Sequence, residues 1–318
     1  MTADRLPSNG RTRCLDCGGP LAVQESGLFD TRFGVPGDYS FAVCGACGLE
    51  QLTPRPSQEE LDRLYASHYN FGGERGTAYT SARLRFHGSR LYRLWTRIDG
   101  DVFFHGVKGS GRLLDVGCNE GRGLLFYRGN GWEAEGLEPN AGAAAAARGL
   151  GFPVHAMPLR NFLPEKPYDV VVLSNVLEHS QDPRGMLERV RGILAPGGRL
   201  WVSVPDGDSV LRGVFGRSWI NWHVPFHVVL FTRRTLGRLL EETGFRVESA
   251  RRETPALWAA QSLVAAAFAR PGAPTRQLRN PLLVGPLIVG IRAFLFPLLW
   301  LANRSGRGDC LVVEAARD

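Results

Sequence analysis

Three short runs, RLLDVG at 112–117, YDVVVLS at 168–174 and RLWVSVP at 199–205, are rich in Val and Leu and bounded by Gly or Pro. They lack the strict polar–apolar alternation of a half-buried strand, so they predict strands covered on both faces. The segments around them, 121–130, 140–149 with its alanine run, and 183–194, carry helical patterns. Repeated strand–helix units predict an α/β fold, a mostly parallel sheet covered by helices. A further helix fits 232–243, stopped by Gly244, and strands fit 245–250 and 310–315, the last of them antiparallel.

The flanks break this rhythm. Residues 11–50 are Gly-rich and punctuated by cysteine. After Pro54 and Pro56, SQEELDRLYASHY predicts an amphipathic helix, with Ser57 and Glu60 spaced as a capping box. Residues 80–105 set Leu84, Leu91, Leu94 and Trp95 among arginines, which predicts a helix with one apolar and one basic face. Residues 253–308 hold two apolar stretches, ALWAAQSLVAAAFA and PLLVGPLIVGIRAFLFPLLWLA, around a polar, Pro-rich turn. The expected layout is a small module at 1–54, a helical lid or linker at 55–108, the α/β core at 109–252, an apolar helical insertion at 253–308 and the last core strand at 309–318.

Composition changes this picture little: 44% hydrophobic and 22% charged residues describe an ordinary globular chain. The net charge of +7 is carried almost wholly by arginine, since Lys108 and Lys166 are the only lysines. A basic balance favours phosphates or an anionic membrane surface. No basic run is interleaved with aromatics, so nucleic acid is not expected. The first residues, MTADRLPSNGRTRC, have no apolar core of a secretory signal, and a cytoplasmic location is expected.

Cysteine usage points to metal. Cys14-x2-Cys17 and Cys44-x2-Cys47 form two CxxCG knuckles, whose glycines permit the turn that aims amides at the thiolates. Four thiolates suit tetrahedral zinc and leave no open position, so a ribbon with a structural zinc is expected rather than a redox pair. Cys118 and Cys310 are isolated in apolar surroundings and read as small buried residues.

LLDVGCNEGRGL places a strand, a Gly-rich turn and a helix start in order, the arrangement that lets backbone approach a ligand. Asp115 precedes the glycines, where a carboxylate can pair with a cationic amino group. Glu138, in GLEPN, ends the next predicted strand, where two hydrogen bonds can grip a ribose diol. YDVVVLSNVLEH and DPRGMLERVRGILAPGGRLWVSVP follow in order. With these blocks the chain resembles class I S-adenosylmethionine-dependent methyltransferases, in the broad group of ubiquinone-biosynthesis and polysaccharide-cluster enzymes. The resemblance covers 55–250 and the final strand. It implies a Rossmann-like core in which Asp115, Gly117, Cys118, Asn119 and Gly121 form the methionine-side loop. It implies Glu138 on the ribose hydroxyls, Pro139 beside the adenine, and Asn175, Val176 and Leu177 under the methionine moiety. Two positions depart from the family pattern. Asn119 stands for the middle glycine of the loop, a mild change because Asn tolerates left-handed backbone. His155 stands where an acidic residue is common, so Ala156 is carried over through its backbone alone.

Methyl transfer to a neutral hydroxyl benefits from a general base. The block SWINWHVPFHVVLFTRRTLGRLL offers His223 and His227, and His227 is the candidate, with a loop-orienting role as the alternative. His179 reads as structural. Sugar C-methyltransferases that carry an N-terminal zinc module are similar here but have a Tyr-Glu-His cluster. In this chain Phe226 replaces the Glu, and Val224 or Pro225 stands near the Tyr, which puts O-methylation ahead of sugar C-methylation. A nicotinamide oxidoreductase and a non-catalytic binding protein on the same fold are the other readings.

The stretch 281–302 is long enough to suggest a membrane span. A single crossing would strand the last core strand across the bilayer. Pro286, Arg292 and Pro297 interrupt it, which favours a shallow or lid-like pair of helices. Arg270, Arg276, Arg279, Arg304 and Arg307 flank it and would suit anionic headgroups. The expected partners are therefore a small-molecule or lipid-linked acceptor and the cytoplasmic face of a membrane, with homodimerisation or lid formation as the competing uses of 253–308.

Overall fold

The cysteine-rich start folds as an antiparallel meander because each knuckle turns the chain back on itself: β1 (Leu21–Leu28), β2 (Tyr39–Cys44) and β3 (Glu50–Thr53). Helix α1 (Gln58–His68) follows, capped as expected: Ser57 N–H donates to Glu60 Oε2 at 2.5 Å, and Glu60 N–H donates to Ser57 Oγ at 3.2 Å. The computed structural model describes residues 13–68, 89, 90, 94, 100–273, 275 and 281–318. Leu84, Leu91, Trp95, Arg276 and Arg279 lie outside the described residues, as do the side chains of 281–285, 288 and 292. The helix expected over 80–105 does not reach its predicted end. Residues 100–105 are not helical and 102–104 are bends, because the Asp101 carboxylate accepts from the N–H groups of Phe103, His105 and Gly106 and competes with the helical ladder.

The core then alternates as predicted: β4 (Arg112–Val116), α2 (Arg122–Gly129), β5 (Glu133–Leu137), α3 (Ala141–Arg148), β6 (Val154–His155), β7 (Tyr168–Ser174), α4 (Pro183–Ile193) and β8 (Leu194–Pro205). Caps place the helix starts. Asn140 accepts from Ala143 N–H ahead of α3, and Asp182 accepts from Gly185 N–H ahead of α4, with Pro183 in the first turn. After α5 (Val210–Phe215) come short 3-10 turns and β9 (Val229–Leu230). Then follow α6 (Arg233–Glu242), β10 (Phe245–Glu253), α7 (Ala256–Phe268), α8 (Pro281–Arg304) and β11 (Cys310–Arg317).

The main sheet has seven strands in the order β10-β11-β8-β7-β4-β5-β6. Strands β4 to β8 pair in parallel, while β11 runs antiparallel to both β8 and β10. Leu113, Leu114, Val171, Val172, Leu173, Val202 and Val204 are fully buried, each stabilising the fold by about 1.5–3 kcal/mol. The chain leaves β4 toward β5 on one side and returns to β7 on the other. This places a crevice at the carboxyl ends of the central strands.

The pattern did not announce that the N-terminal module joins the core. Its strands form a four-stranded sheet, β1-β2-β3-β9, so a late two-residue strand closes an early meander through Gln51↔Val229 and Glu50↔Leu230. Asp16 fastens the first knuckle to α4 and α6 through ion pairs of 2.7 Å to Arg184 and 2.6 Å to Arg238.

The insertion is a pair of helices. Ala259, Ala260 and Ala265 of α7 are buried, α7 joins a third apolar cluster with Phe41, Trp219 and Trp222, and Ser262 Oγ accepts from Ile220 N–H at 3.1 Å. Among the described residues no helix is long and apolar enough to cross a membrane. Pro286 and Pro297 lie inside α8.

Candidate functional site

Three groups of side chains converge around the sheet. The first is the crevice at the ends of β4 and β5. The turn after β4 uses left-handed backbone at Gly117 (φ 75°), Asn119 (φ 51°) and Gly121 (φ 77°). Gly117 cannot be replaced, since a Cβ there would meet Val176 Cγ2 at 2.9 Å. Asn119 adopts the conformation that makes Asn the mildest substitute for glycine. Its N–H donates to Glu138 Oε2 at 3.0 Å, while Asn140 N–H donates to Glu138 Oε1 at 2.8 Å. Glu138 thus ties the two loops that flank the crevice.

Burial raises the Glu138 carboxyl above its usual range, against the pull of those two N–H donors. Burial and the neighbouring Glu138 charge raise Asp115 to about 8. Two carboxylic groups held this way favour a ligand that brings a cation to one and hydroxyl donors to the other. Pro139 is exposed beside Glu138, and Ala156 is exposed just beyond β6, whose His155 carbonyl accepts from Glu138 N–H at 3.0 Å. His155 itself leans on Phe162 and lies 3.4 Å from Glu135 Oε2. Asn175 takes φ 53° at the end of β7 and Val176 is half-buried, whereas Leu177 is wholly inside the core. Two glycines missed in the sequence matter here. A Cβ at Gly136 would meet Cys118 Sγ at 2.5 Å, and one at Gly123 would meet Asp115 Oδ2 at 3.0 Å.

The second group is Cys14, Cys17, Cys44 and Cys47, whose sulfurs all lie within 4.8 Å of one another. The pairs Cys14–Cys47 and Cys17–Cys44 stand at 3.5 Å. Zinc–sulfur bonds of about 2.3 Å in a tetrahedron need sulfurs about 3.8 Å apart, so the set fits that ion. Burial raises the Cys14 and Cys47 thiols. At Cys44 burial acts the same way but is outweighed by N–H groups of Cys47 and Ala46 and by Cys17, which bring it down to about 7.

The third group lies where 219–231 folds against the ribbon. His227 Nδ1 donates to the Asn221 carbonyl at 2.7 Å, which leaves the Nε2 lone pair directed inward, 4.0 Å from Glu178 Oε1. The Asn221 side chain is in turn held by Asp309, whose carboxylate accepts from Asn221 Nδ2 at 2.9 Å, Trp219 Nε1 at 2.7 Å and Ser209 Oγ at 2.5 Å. His179 Nδ1 lies 2.9 Å from the Phe226 carbonyl and 2.8 Å from Tyr65 Oη. The rings of His179 and His223 approach that of His227 to 4.7 and 4.8 Å. Burial holds His223 and His227 well below the ordinary imidazole range, and nearby positive groups, Arg32 among them, add to it. Burial likewise lowers His179 to about 4. All three are neutral near pH 7.

Sequence reasoning missed Glu178, Tyr65 and the ribbon residue Phe33 in this group. The ring of Phe33 sits 5.9 Å from that of His223 and 5.3 Å from that of Phe226. The pairing of β3 with β9 helps bring the ribbon here, and no local pattern signals it.

The family model described as a methyltransferase domain matches residues 89–250, half of the chain, and the chain belongs to that family. It is 31% identical over 125 residues to the ubiquinone biosynthesis O-methyltransferase of Bradyrhizobium sp. (strain ORS 278), covering 36% of this chain and 48% of that protein. It is 29% identical over 175 residues to the trans-aconitate 2-methyltransferase of Mycobacterium tuberculosis (strain ATCC 25177 / H37Ra), covering 52% of this chain and 58% of that protein. The matches therefore span about half the length of these curated relatives. Among solved structures, the 1,6-didemethyltoxoflavin-N1-methyltransferase of Burkholderia thailandensis, with bound 1,6-didemethyltoxoflavin and S-adenosylhomocysteine, aligns with a TM-score of 0.49 at 16% identity, over 92% of this chain and 99% of that one.

Glu178 gives the group a measurable signature. Both its oxygens are buried without a hydrogen-bond partner among the described residues, and burial raises its carboxyl from 4.5 to about 8. The folded state therefore binds a proton that the unfolded state has released between these values. Stability falls as pH rises through that window and levels off above it. Glu178→Gln will flatten the decline, by up to about 1.4 kcal/mol per pH unit, in urea denaturation from about pH 5 to about pH 9. An unchanged slope would remove Glu178 as its source.

Proposed function

We propose that this protein is a class I S-adenosylmethionine-dependent methyltransferase acting on an oxygen of a sugar, a lipid-linked glycan or another amphiphilic small molecule. The observation that carries the reading is the crevice where Asp115 and Glu138 flank a left-handed turn, in a chain of the methyltransferase-domain family. S-adenosylmethionine bound there supplies an electrophilic methyl group on a sulfonium.

The chain's own residues do the rest. Asp115 pairs with the ammonium of the methionine moiety, and Glu138 accepts from both ribose hydroxyls. Gly117, Cys118, Asn119 and Gly121 bring backbone against the methionine chain. Pro139 and the Ala156 backbone border the adenine, while Asn175 and Val176 form the floor with Leu177 beneath. The acceptor hydroxyl is held in line with the sulfur–methyl bond. As the oxygen–methyl bond forms and the sulfur–methyl bond breaks, His227 Nε2 takes the hydroxyl proton. Held by these crevice residues, S-adenosylmethionine would supply the methyl group, and its sulfur would keep the electron pair of the broken bond. The Asn221 carbonyl keeps His227 in the tautomer this requires.

The four-cysteine cluster holds a structural zinc in this reading, and through it positions Phe33 beside the histidines.

Calorimetry separates the functional classes. The protein binds S-adenosylmethionine and gives no heat with NADH. Glu138→Ala weakens the former about a hundredfold, because two hydrogen bonds to a charged group are lost. Heat with NADH alone would move the protein to the oxidoreductases. In a methyl-transfer assay over sugars, lipid-linked glycans and amphiphilic alcohols, His227→Ala lowers kcat about 10²–10⁴-fold and leaves cofactor affinity intact. Near-normal turnover of that variant at every pH would end the base assignment. Metal analysis finds one zinc per chain. Cys44→Ser releases it, lowers Tm and raises KM for the acceptor more than it changes cofactor affinity. A zinc-free variant of full stability and activity would exclude this role.

A further inference from the structure

We propose that the α7–α8 insertion docks the enzyme on an anionic lipid surface, with the second half of α8 lying in the headgroup layer. The inference deepens the amphiphilic-acceptor reading and rests on it for its purpose, though not for its geometry.

Helix α8 touches the protein along a narrow line. Ile291 and Leu299 are buried, and Leu287 packs beside the cluster that holds α7. Among its described residues, several large apolar side chains stand in solvent: Phe294 is 83% exposed, Leu298 63%, Val289 59% and Leu301 58%. Phe268 and Leu263 of α7 are exposed as well. A helix apolar on nearly every side is stable when something apolar surrounds it, and a patch of this kind marks an interaction surface.

Charge selects the occupant. Residues 254–308 contain six arginines and not one Asp or Glu, although the whole chain has 31 acidic residues. Pairing two copies about a twofold axis through this surface would set arginines against arginines with no acid to offset them. Anionic headgroups answer both features, taking the apolar side chains below and the guanidinium groups at their own level. The end of α8 has that layout: the Arg304 guanidinium lies 4.7 Å over the ring of the half-exposed Trp300. Aromatic and cationic side chains share this boundary at membrane surfaces. Since β10 and β11, which bracket the insertion, are neighbours in one sheet, both ends of the insertion lie on one side of the bilayer, and the thirteen residues of α7 are too few for a return crossing, so the contact is parallel to the surface.

Co-sedimentation of the full chain with vesicles tests it. One set is phosphatidylcholine, the other phosphatidylcholine with about a third phosphatidylglycerol. The wild-type chain sediments with the anionic vesicles and not with the neutral ones, and added salt weakens the binding. The double variants F294E/L298E and R304A/R307A each lose at least about tenfold in affinity. Calorimetry with S-adenosylmethionine on the same proteins shows that both variants remain folded. The proposal is overturned if the wild-type chain stays in solution with anionic vesicles. It is also overturned if light scattering without lipid finds a dimer that F294E/L298E splits. Vesicle binding by a chain that binds no S-adenosylmethionine would sink the methyltransferase reading and leave the docking surface standing.

Discussion

One buried carboxylate holds the working end of this molecule together. Asp309 stands at the start of the last core strand and gathers donors from Ser209, Trp219 and Asn221. Its own N–H donates to the Glu253 carbonyl at 3.1 Å. Burial raises it to about 6, even with three donors opposing the rise, and the neighbouring Asp206 charge adds to the effect. Such a group is costly to bury unless its donors are all in place, so it enforces one arrangement of the segments that supply them. Asn221 is the consequential one. Its side chain is fixed by Asp309 and its carbonyl fixes His227, so the orientation of a candidate base is set by a residue on a different part of the sheet.

The histidine group is electrically unusual for the same reason. Three imidazoles, a carboxyl and a phenol are packed where water is scarce. The imidazoles and the carboxyl are driven to their neutral forms, the histidines by lowering and Glu178 by raising. A group of this kind does not attract charged ligands strongly, and it keeps its imidazoles unprotonated near neutral pH. The apolar edge comes partly from the ribbon, through Phe33.

The features legible in the sequence were local ones. Continuous Val and Leu runs marked β4, β7 and β8, and helical patterns marked the starts of α2, α3, α4 and α6 within a residue. The turn with Asn119 and the partner Glu138 could be read because the whole device spans one strand–helix–strand unit. What escaped depends on residues far apart in sequence. Gln51 pairs with Val229, and Asp16 bonds Arg184 and Arg238, and neither segment carries a periodic signal of the other. The expected helix end at 105 failed for a different reason. A single Asp101 side chain, bonding three following amides, outweighed an otherwise helical pattern.

The pairing of Glu253 with Cys310 has a wider consequence. The insertion leaves the sheet and returns to it at facing positions of neighbouring strands. From the standpoint of the core it is a single connection whose two ends already touch. Doubling the length of such a connection costs only about 0.6 kcal/mol of closure entropy. The sheet is therefore almost indifferent to what the connection contains. Descent could trade one appendage for another at this seam and so change where the enzyme works in the cell, while the crevice across the sheet went on with the same chemistry.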